Sequence, residues 1–548
     1  MKRAPTIERR TGTNVPSVPV TPVGRGAIQT WARTRNGARP EPPPEQAPAP
    51  APQRQGGRIR SLDGLRGLAA LVVVMNHALI AAVGPFADTY AGRPPPKAGT
   101  ALWWLGYTPL RIFWSGPEAV VLFFVLSGFV LALPAVRRGG RWFDVSYYPR
   151  RVLRLYLPVW AALVVAVVLH AAVARTPVAG ASWWLNWHAI PMTLRDWLSS
   201  AGLLHERNGF EFSSALSSLK WEVIFSLVLP LGVLFPLLTR RRPLIAGAGV
   251  AGGLVVVFLG TARGNLYAEM LPMFVIGSVL AFQADRIRAL LARHPPKPIG
   301  WVLVAAIALI AVSLMTAPYL LLLPQVRPVR LSAYDLYGLS LVAVTVGASV
   351  LLCLGLLMPT WRRVLESRLV QWCGSRSYSL YLVHEPVVVT TAFLLGGRPA
   401  VLPYLLLAIG ASLVLAELFW RAVEHPGLAA ARWTGAAVRT GLRRLVVRDR
   451  PAAAPPVVPL APAGPSPARR LRRSPSRNPW SGPVPTNPWS STPACDSVRV
   501  STERRRTEEN ARRNCQYPSL TFFGWISIIS VLGHPKKACR GASTAQAC

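Results

Sequence analysis

Between Ser61 and Glu424 the chain alternates long apolar blocks with short arginine-bearing gaps. That pattern constrains the fold more than any other feature. About 20 mainly apolar residues suffice to cross a bilayer as a helix, and about ten blocks approach that length. They lie near 62–84, 118–136, 152–174, 215–239, 243–261, 266–284, 300–322, 336–358, 377–397 and 400–423. Lipid cannot satisfy free backbone groups, so each must be helical. The expected fold is all-α: a polytopic membrane bundle of about ten transmembrane helices over residues 58–426. Residues 1–57, rich in Pro, and 427–548, rich in Arg, Ser and Pro, are expected to be basic and mostly disordered. No secretory signal is expected before Arg60, because that stretch has no apolar run.

Composition excludes an ordinary soluble enzyme. Only 15% of residues are charged, against about 25% in soluble domains. Lys and Arg number 61 and Asp and Glu 23, a net charge of +38. On a soluble chain that excess would point to nucleic acid. Here it lies in the tails and in the gaps, where a membrane protein keeps it, so the expected partner is the lipid bilayer and not nucleic acid. The six cysteines show neither disulfide-scaffold nor metal-ligand spacing. They read as free thiols, and no metal site is expected.

Loop charge sets the orientation. Alternate gaps carry Arg137, Arg138, Arg141, Arg150, Arg151 and Arg154, then Arg240 to Arg242, then Arg286, Arg288, Arg293 and Lys297, then Arg362, Arg363, Arg368 and Arg376. The other gaps are longer in total and hold fewer, among them Arg93, Lys97, Arg111, Arg175, Arg207, Arg327 and Arg330. The bias places both termini in the cytoplasm of a plasma-membrane protein.

Ionisable groups inside a span are costly, so each is a functional candidate. In the first block Arg66 and His77 are eleven steps apart. At about 100° per residue they fall roughly 20° from a shared face, about 16 Å apart along the axis. A guanidinium for an anionic ligand and an imidazole for proton transfer is one reading. A snorkelling Arg and an interhelical His is the other, and the paired placement favours function. In Phe123 to Phe129, Ser127 and Gly128 allow close approach of a helix or a ligand, and alone they favour packing. Arg150, Arg151 and Arg154 crowd the start of the third block. Arg150 and Arg154 are one turn apart, which suits a phosphorylated ligand and equally suits lipid headgroups. Glu222 sits a short way into an apolar block, and His384 lies in another. Trp183, Trp184 and Trp187 precede the fourth block; an interfacial aromatic belt is the favoured reading.

Taken together and in order, these strings resemble the integral-membrane acyltransferase-3 family, over roughly residues 58–426. Arg66 and His77 match its opening pair. Phe123 to Phe129, Arg150 to Pro158, Ser218-Leu219-x-x-Glu222-x-x-Phe225, Ser377 to Pro386, and Glu424-x-Pro426 match its later segments. Ser217 and Ser226 replace the family's usual Trp and Tyr. The resemblance implies O-acylation of a sugar or related hydroxyl acceptor, with acyl-CoA, acetyl-CoA foremost, as cytoplasmic co-substrate and no permanently bound cofactor. It implies His77 as base, with Glu222 orienting it and Arg66 beside it as catalytic residues. Arg150, Arg151 and Arg154, with Ser127 and Gly128, would hold the donor. His384 and Tyr381 would hold the acceptor. The rival readings are a secondary transporter, which should show internal repeats that 61–239 and 243–424 lack, and a polytopic protein whose charges only join helices.

Overall fold

The structure is a computed structural model that describes residues 59–91, 93–138, 143–204, 213–293, 298–321 and 332–448. Both expected tails, apart from the segment up to Arg448, lie outside the described residues. So do Cys495, Cys515, Cys539 and Cys548 and the loop cations Arg141, Lys297, Arg207, Arg327 and Arg330. Cys353 and Cys373 are free thiols.

The described residues are helical, with no strand among them. The long helices are α1 (Arg60–Ala82), α2 (Gly116–Arg138), α3 (Tyr147–Ala172), α4 (Ser214–Leu227), α5 (Leu229–Thr239), α6 (Pro243–Ala262), α7 (Leu266–Arg293), α8 (Pro298–Leu320), α9 (Ala333–Leu357), α10 (Arg368–Leu394), α11 (Val401–Phe419) and α12 (His425–Arg448). Eight helices are long and apolar enough to cross a membrane, or up to nine if α4 and α5, bent by 62° at Val228, form one broken span. Of the ten expected spans, that test of length and composition picks out eight or nine among the described residues, and leaves out α10. α10 is long enough, at 27 residues, but Arg376, His384 and Glu385 lower its apolar character. Outward faces are rich in bare aliphatics such as Leu231, Leu244, Val302 and Leu406. Such continuous apolar exposure suits lipid rather than water, and the chain is a multi-pass membrane protein.

α1 lies at the centre and packs most extensively on α10. Glycines permit that approach. A Cβ on Gly67 would fall 2.5 Å from the Gly374 backbone nitrogen, and one on Gly374 would strike the Asp63 carbonyl. Such small-residue contacts are the means by which membrane helices gain van der Waals contact, since lipid gives no hydrophobic drive between them. α2 and α7 meet the same way through Gly128 and Gly277. Gly128 thus packs against the Phe274 carbonyl, the reading its residue string favours on its own, where the family resemblance implies donor binding.

A π-helical turn, Trp420–Glu424, joins α11 to α12. α12 runs alongside α3, with Gly427 against Leu157 and Gly435 against Arg150. The boundary drawn at residue 426 thus falls inside ordered helix, which continues to Arg448. Sequence suggested a break there because the apolar block ends; the helix continues because its Ala- and Gly-rich face packs on α3.

Candidate active site

Two polar regions sit at different depths of the bundle. The first is a cavity of about 460 Å³ at the arginine-rich end. Its walls come from α2, α3 and α12 and include Arg138, Arg150, Arg151, Arg154, Arg432 and Arg439. The one carboxylate in the lining is Asp144. Hydrogen bonds from Ser146, with Arg439 and Arg150 beyond, hold its carboxyl below the usual carboxylate range. Six guanidiniums around one anion make a strongly anion-attracting vestibule. Sequence supplied the three α3 arginines. It missed Arg432 and Arg439, which arrive from a helix assigned to the tail.

Arg151 closes the inner end. It donates to Glu222 Oε1 at 2.5 Å and through Nε to Ser226 Oγ at 3.0 Å. Glu222 therefore does not reach His77, contrary to expectation; Ser214 at the start of α4 faces His77, and Glu222 lies eight residues, about 12 Å, further along the same helix. Arg154 lies in the field of Arg66, Arg151, Glu222 and Glu424. Glu424, aimed by the π-helical turn, accepts from Ser379 Oγ at 2.5 Å and from Ser379 N at 3.2 Å. Beyond Glu222 is a second, narrow cavity of about 30 Å³, room for about one water. Arg66, Ser127, Glu222, Tyr378 and Tyr381 line it. Ser127 shares this cavity with Arg66 and not the vestibule with the α3 arginines. Arg66 Nε is buried and makes no hydrogen bond among the described residues. Tyr381 pairs with Ser218 at 2.5 Å and lies 5.9 Å, ring to ring, from His384.

The second region is built around His77. Trp184 lies against its ring, centroids 5.3 Å apart and planes near parallel, and His384 meets its Nδ1 edge, centroids 5.1 Å apart. Hydrogen bonds then fix the tautomers. His384 Nδ1 lies 3.0 Å from the Leu380 carbonyl, which only accepts, so Nδ1 carries the proton. In the neutral ring, His384 Nε2 must therefore accept, and it faces His77 Nδ1 at 2.9 Å. His77 thus donates from Nδ1 and presents a lone pair at Nε2. That nitrogen faces Ser214 Oγ at 3.0 Å. His384, expected to bind acceptor, is fully buried with both nitrogens engaged. Its contact is with the Nδ1 edge of His77.

The carboxylate of this region is Glu385, not Glu222. It is fully buried and accepts from Ser213 Oγ (2.9 Å), Ser214 N (2.9 Å), Ser214 Oγ (3.1 Å) and Ala215 N (3.0 Å). Those amides are the first of α4, where the helix dipole favours a negative charge. His188 completes the set, donating Nδ1–H to the Trp184 carbonyl and facing Glu385 Oε1 at 3.3 Å. Trp184 and His188 come from the short helix Trp183–Trp187 and its end, held by Asn186, which bonds both backbone groups of Val178. Trp184 is thus part of the site and not of an interfacial belt.

The side-chain donors of His77, His384 and Glu385 lie within 4.8 Å of one another, close enough to share a cation. The two histidines, however, aim at each other as donor and acceptor, and Glu385 is already filled by hydrogen-bond donors. The arrangement fits proton transfer better than coordination.

Residues 59–421 match the acyltransferase-3 family, described as an acyltransferase domain, and the chain belongs to that family. It is 30% identical to Acyltransferase MdmB of Streptomyces mycarofaciens, over 39% of this chain and 50% of that protein. It is 24% identical to Acyltransferase R4 of a Phoma species, over 60% of this chain and 82% of that protein. The chain thus spans half the length of the first relative. No solved structure matches significantly.

Proposed function

We propose that the chain is a membrane O-acyltransferase that moves an acetyl group from acetyl-CoA to a hydroxyl of a carbohydrate or glycosylated acceptor. The arginine-rich end faces the cytoplasm of the plasma membrane, with both termini on that side. The observation that carries this reading is the fixed Nε2 lone pair of His77, a base held in one tautomer by His384 in a buried, polar-lined site. Such a group serves proton abstraction from a hydroxyl.

The vestibule suits the phosphates of coenzyme A, which Arg150, Arg151, Arg154, Arg432 and Arg439 can pair. The Arg151–Glu222 pair joins it to the narrow cavity, whose Tyr381 is in ring contact with His384. At about 30 Å³ that cavity is too small for the pantetheine arm, so the reading requires it to widen when the donor binds, with Arg151 and Glu222 parting. Arg66 then stabilises negative charge developing on the thioester. The acceptor hydroxyl attacks the thioester carbon while His77 takes its proton. The C–S bond breaks, and the proton passes from His77 to the leaving sulfur. Glu385 supplies the buried negative charge that favours the imidazolium, and no covalent enzyme is needed.

The test uses purified full-length protein with radiolabelled acetyl-CoA and methyl α-D-glucopyranoside. Labelled glycoside ester that depends on His77 supports the reading. Uptake of the glycoside into vesicles with no ester formed would favour a transporter instead.

A further inference from the structure

The base has a neighbour that the mechanism above leaves idle. Ser214 Oγ lies 3.0 Å from His77 Nε2 and 3.1 Å from Glu385 Oε2. Ser214 is the first residue of α4, and its own amide donates to Glu385, so its backbone is fixed where its hydroxyl must bridge the two. With His77 neutral, the hydroxyl has one proton and faces two acceptors, so one bond is unmade. With a proton on Nε2 the line closes: Nε2–H donates to Ser214 Oγ, and Ser214 O–H donates to Glu385. The network is complete only in the state that follows proton abstraction. Two other approaches to the ring are taken: Trp184 lies against a face, and His384 holds the Nδ1 edge.

We propose that Ser214 is a catalytic proton shuttle: the acceptor hydroxyl delivers its proton to Ser214 Oγ while the Ser214 proton passes to His77 Nε2. This rests on the acyl-transfer reading. Two exchanges occur together. The acceptor oxygen forms the new C–O bond and loses its proton to Ser214 Oγ. Ser214 loses its original proton to Nε2. The thioester C–S bond breaks, and the proton on Nε2 ends on the sulfur as free thiol. Ser214 is unchanged after each turnover and carries no acyl group. The close Glu385 carboxylate opposes a negative charge on Ser214 as a nucleophile, and its hold on the Ser214 and Ala215 amides leaves them unable to stabilise an oxyanion beside it.

The experiment compares full-length wild type, Ser214→Ala, Ser214→Thr and His77→Ala with acetyl-CoA and methyl α-D-glucopyranoside. Mass spectrometry follows the peptide that holds Ser214, after incubation with acetyl-CoA alone. Ser214→Ala should lose about 100-fold in kcat, the low end for a positioned proton carrier, with the acetyl-CoA KM unchanged. Ser214→Thr, which restores the hydroxyl, should recover at least a tenth of wild-type kcat, and Ser214 should stay unacylated. Ser214→Ala within threefold of wild type, or an acetyl group found on Ser214 during turnover, overturns the shuttle. A wild-type protein that moves no acetyl group sinks the underlying function with it, and is told apart by the wild-type assay alone.

Discussion

Asn76 and His77 are neighbours on α1, yet they enter two buried polar clusters of opposite character. On one side His77 joins His384, Glu385, Ser214 and His188. On the other, Asn76 donates to Tyr90 Oη at 2.6 Å and to the Trp114 carbonyl at 2.9 Å. There the fully buried Arg111 guanidinium lies 3.2 Å from the Tyr319 ring centroid and 3.9 Å from that of Trp114. Its hydrogen bonds go to the Gly106 carbonyl and to Thr89. Arg111 is a permanent cation clamped by aromatic faces and backbone, with the buried Glu118 carboxylate in its field and, among the described residues, no imidazole beside it. The His77 cluster is built of titratable groups bridged by a hydroxyl, and Tyr381, in ring contact with His384, lines the narrow cavity that also holds Arg66 and Glu222. A buried charge thus marks function only when it can change state and be reached. Otherwise it marks architecture.

The largest expected effect is on the active side. His77→Ala should reduce acetyl transfer by 10³-fold or more, on the order expected for loss of a general base, with the protein still folded in the membrane. Equal activity in this variant would dissolve the contrast. Glu385→Gln keeps the shape and removes the charge; a fall in kcat of about 100-fold is expected, against a small change for Glu222→Gln in kcat with its main effect on donor KM. If Glu222→Gln proves the more damaging to kcat, the carboxylate roles are reversed. Arg111→Ala should do the opposite of His77→Ala. It should lower stability by about 3 kcal/mol, from lost cation–π and charged hydrogen bonds, and leave kcat per folded molecule within twofold. Thermal unfolding beside a turnover assay separates the two. Removing Arg432 and Arg439 together should raise the acetyl-CoA KM about tenfold, since exposed charges on phosphates act mainly on binding. Smallest of all, treatment with EDTA should leave the rate unchanged, and a rate restored by added zinc would turn the histidine pair into ligands.

Much of this was legible in the chain. The apolar blocks set the helices, the Arg66 and His77 spacing put both on one face of α1, and the α3 arginines marked the anion-attracting end. Glu385 was overlooked although it follows His384 in a quoted string. The rule that singled out Glu222, a carboxylate inside an apolar block, applies to it equally. Its importance depends on Ser213, Ser214 and His188, more than 160 residues away in sequence, and no local pattern reveals such a partnership. Trp184 was hidden for the same reason: an aromatic residue in a polar loop looks alike whether it lies at a lipid interface or folds back onto an imidazole. α12 escaped because its helix depends on packing against α3 rather than on its own apolar content. α10 is the least apolar of the expected spans because it trades apolar residues for the polar groups of the site.

The most direct measurement is a structure of the full-length protein with a non-hydrolysable thioether analogue of acetyl-CoA. The account predicts the phosphates among Arg150, Arg154, Arg432 and Arg439, with Arg151 and Glu222 parted and the acyl carbonyl carbon next to Ser214 and His77 Nε2. An analogue whose acyl end stops short of Glu222, or that binds away from the arginine vestibule, would contradict it.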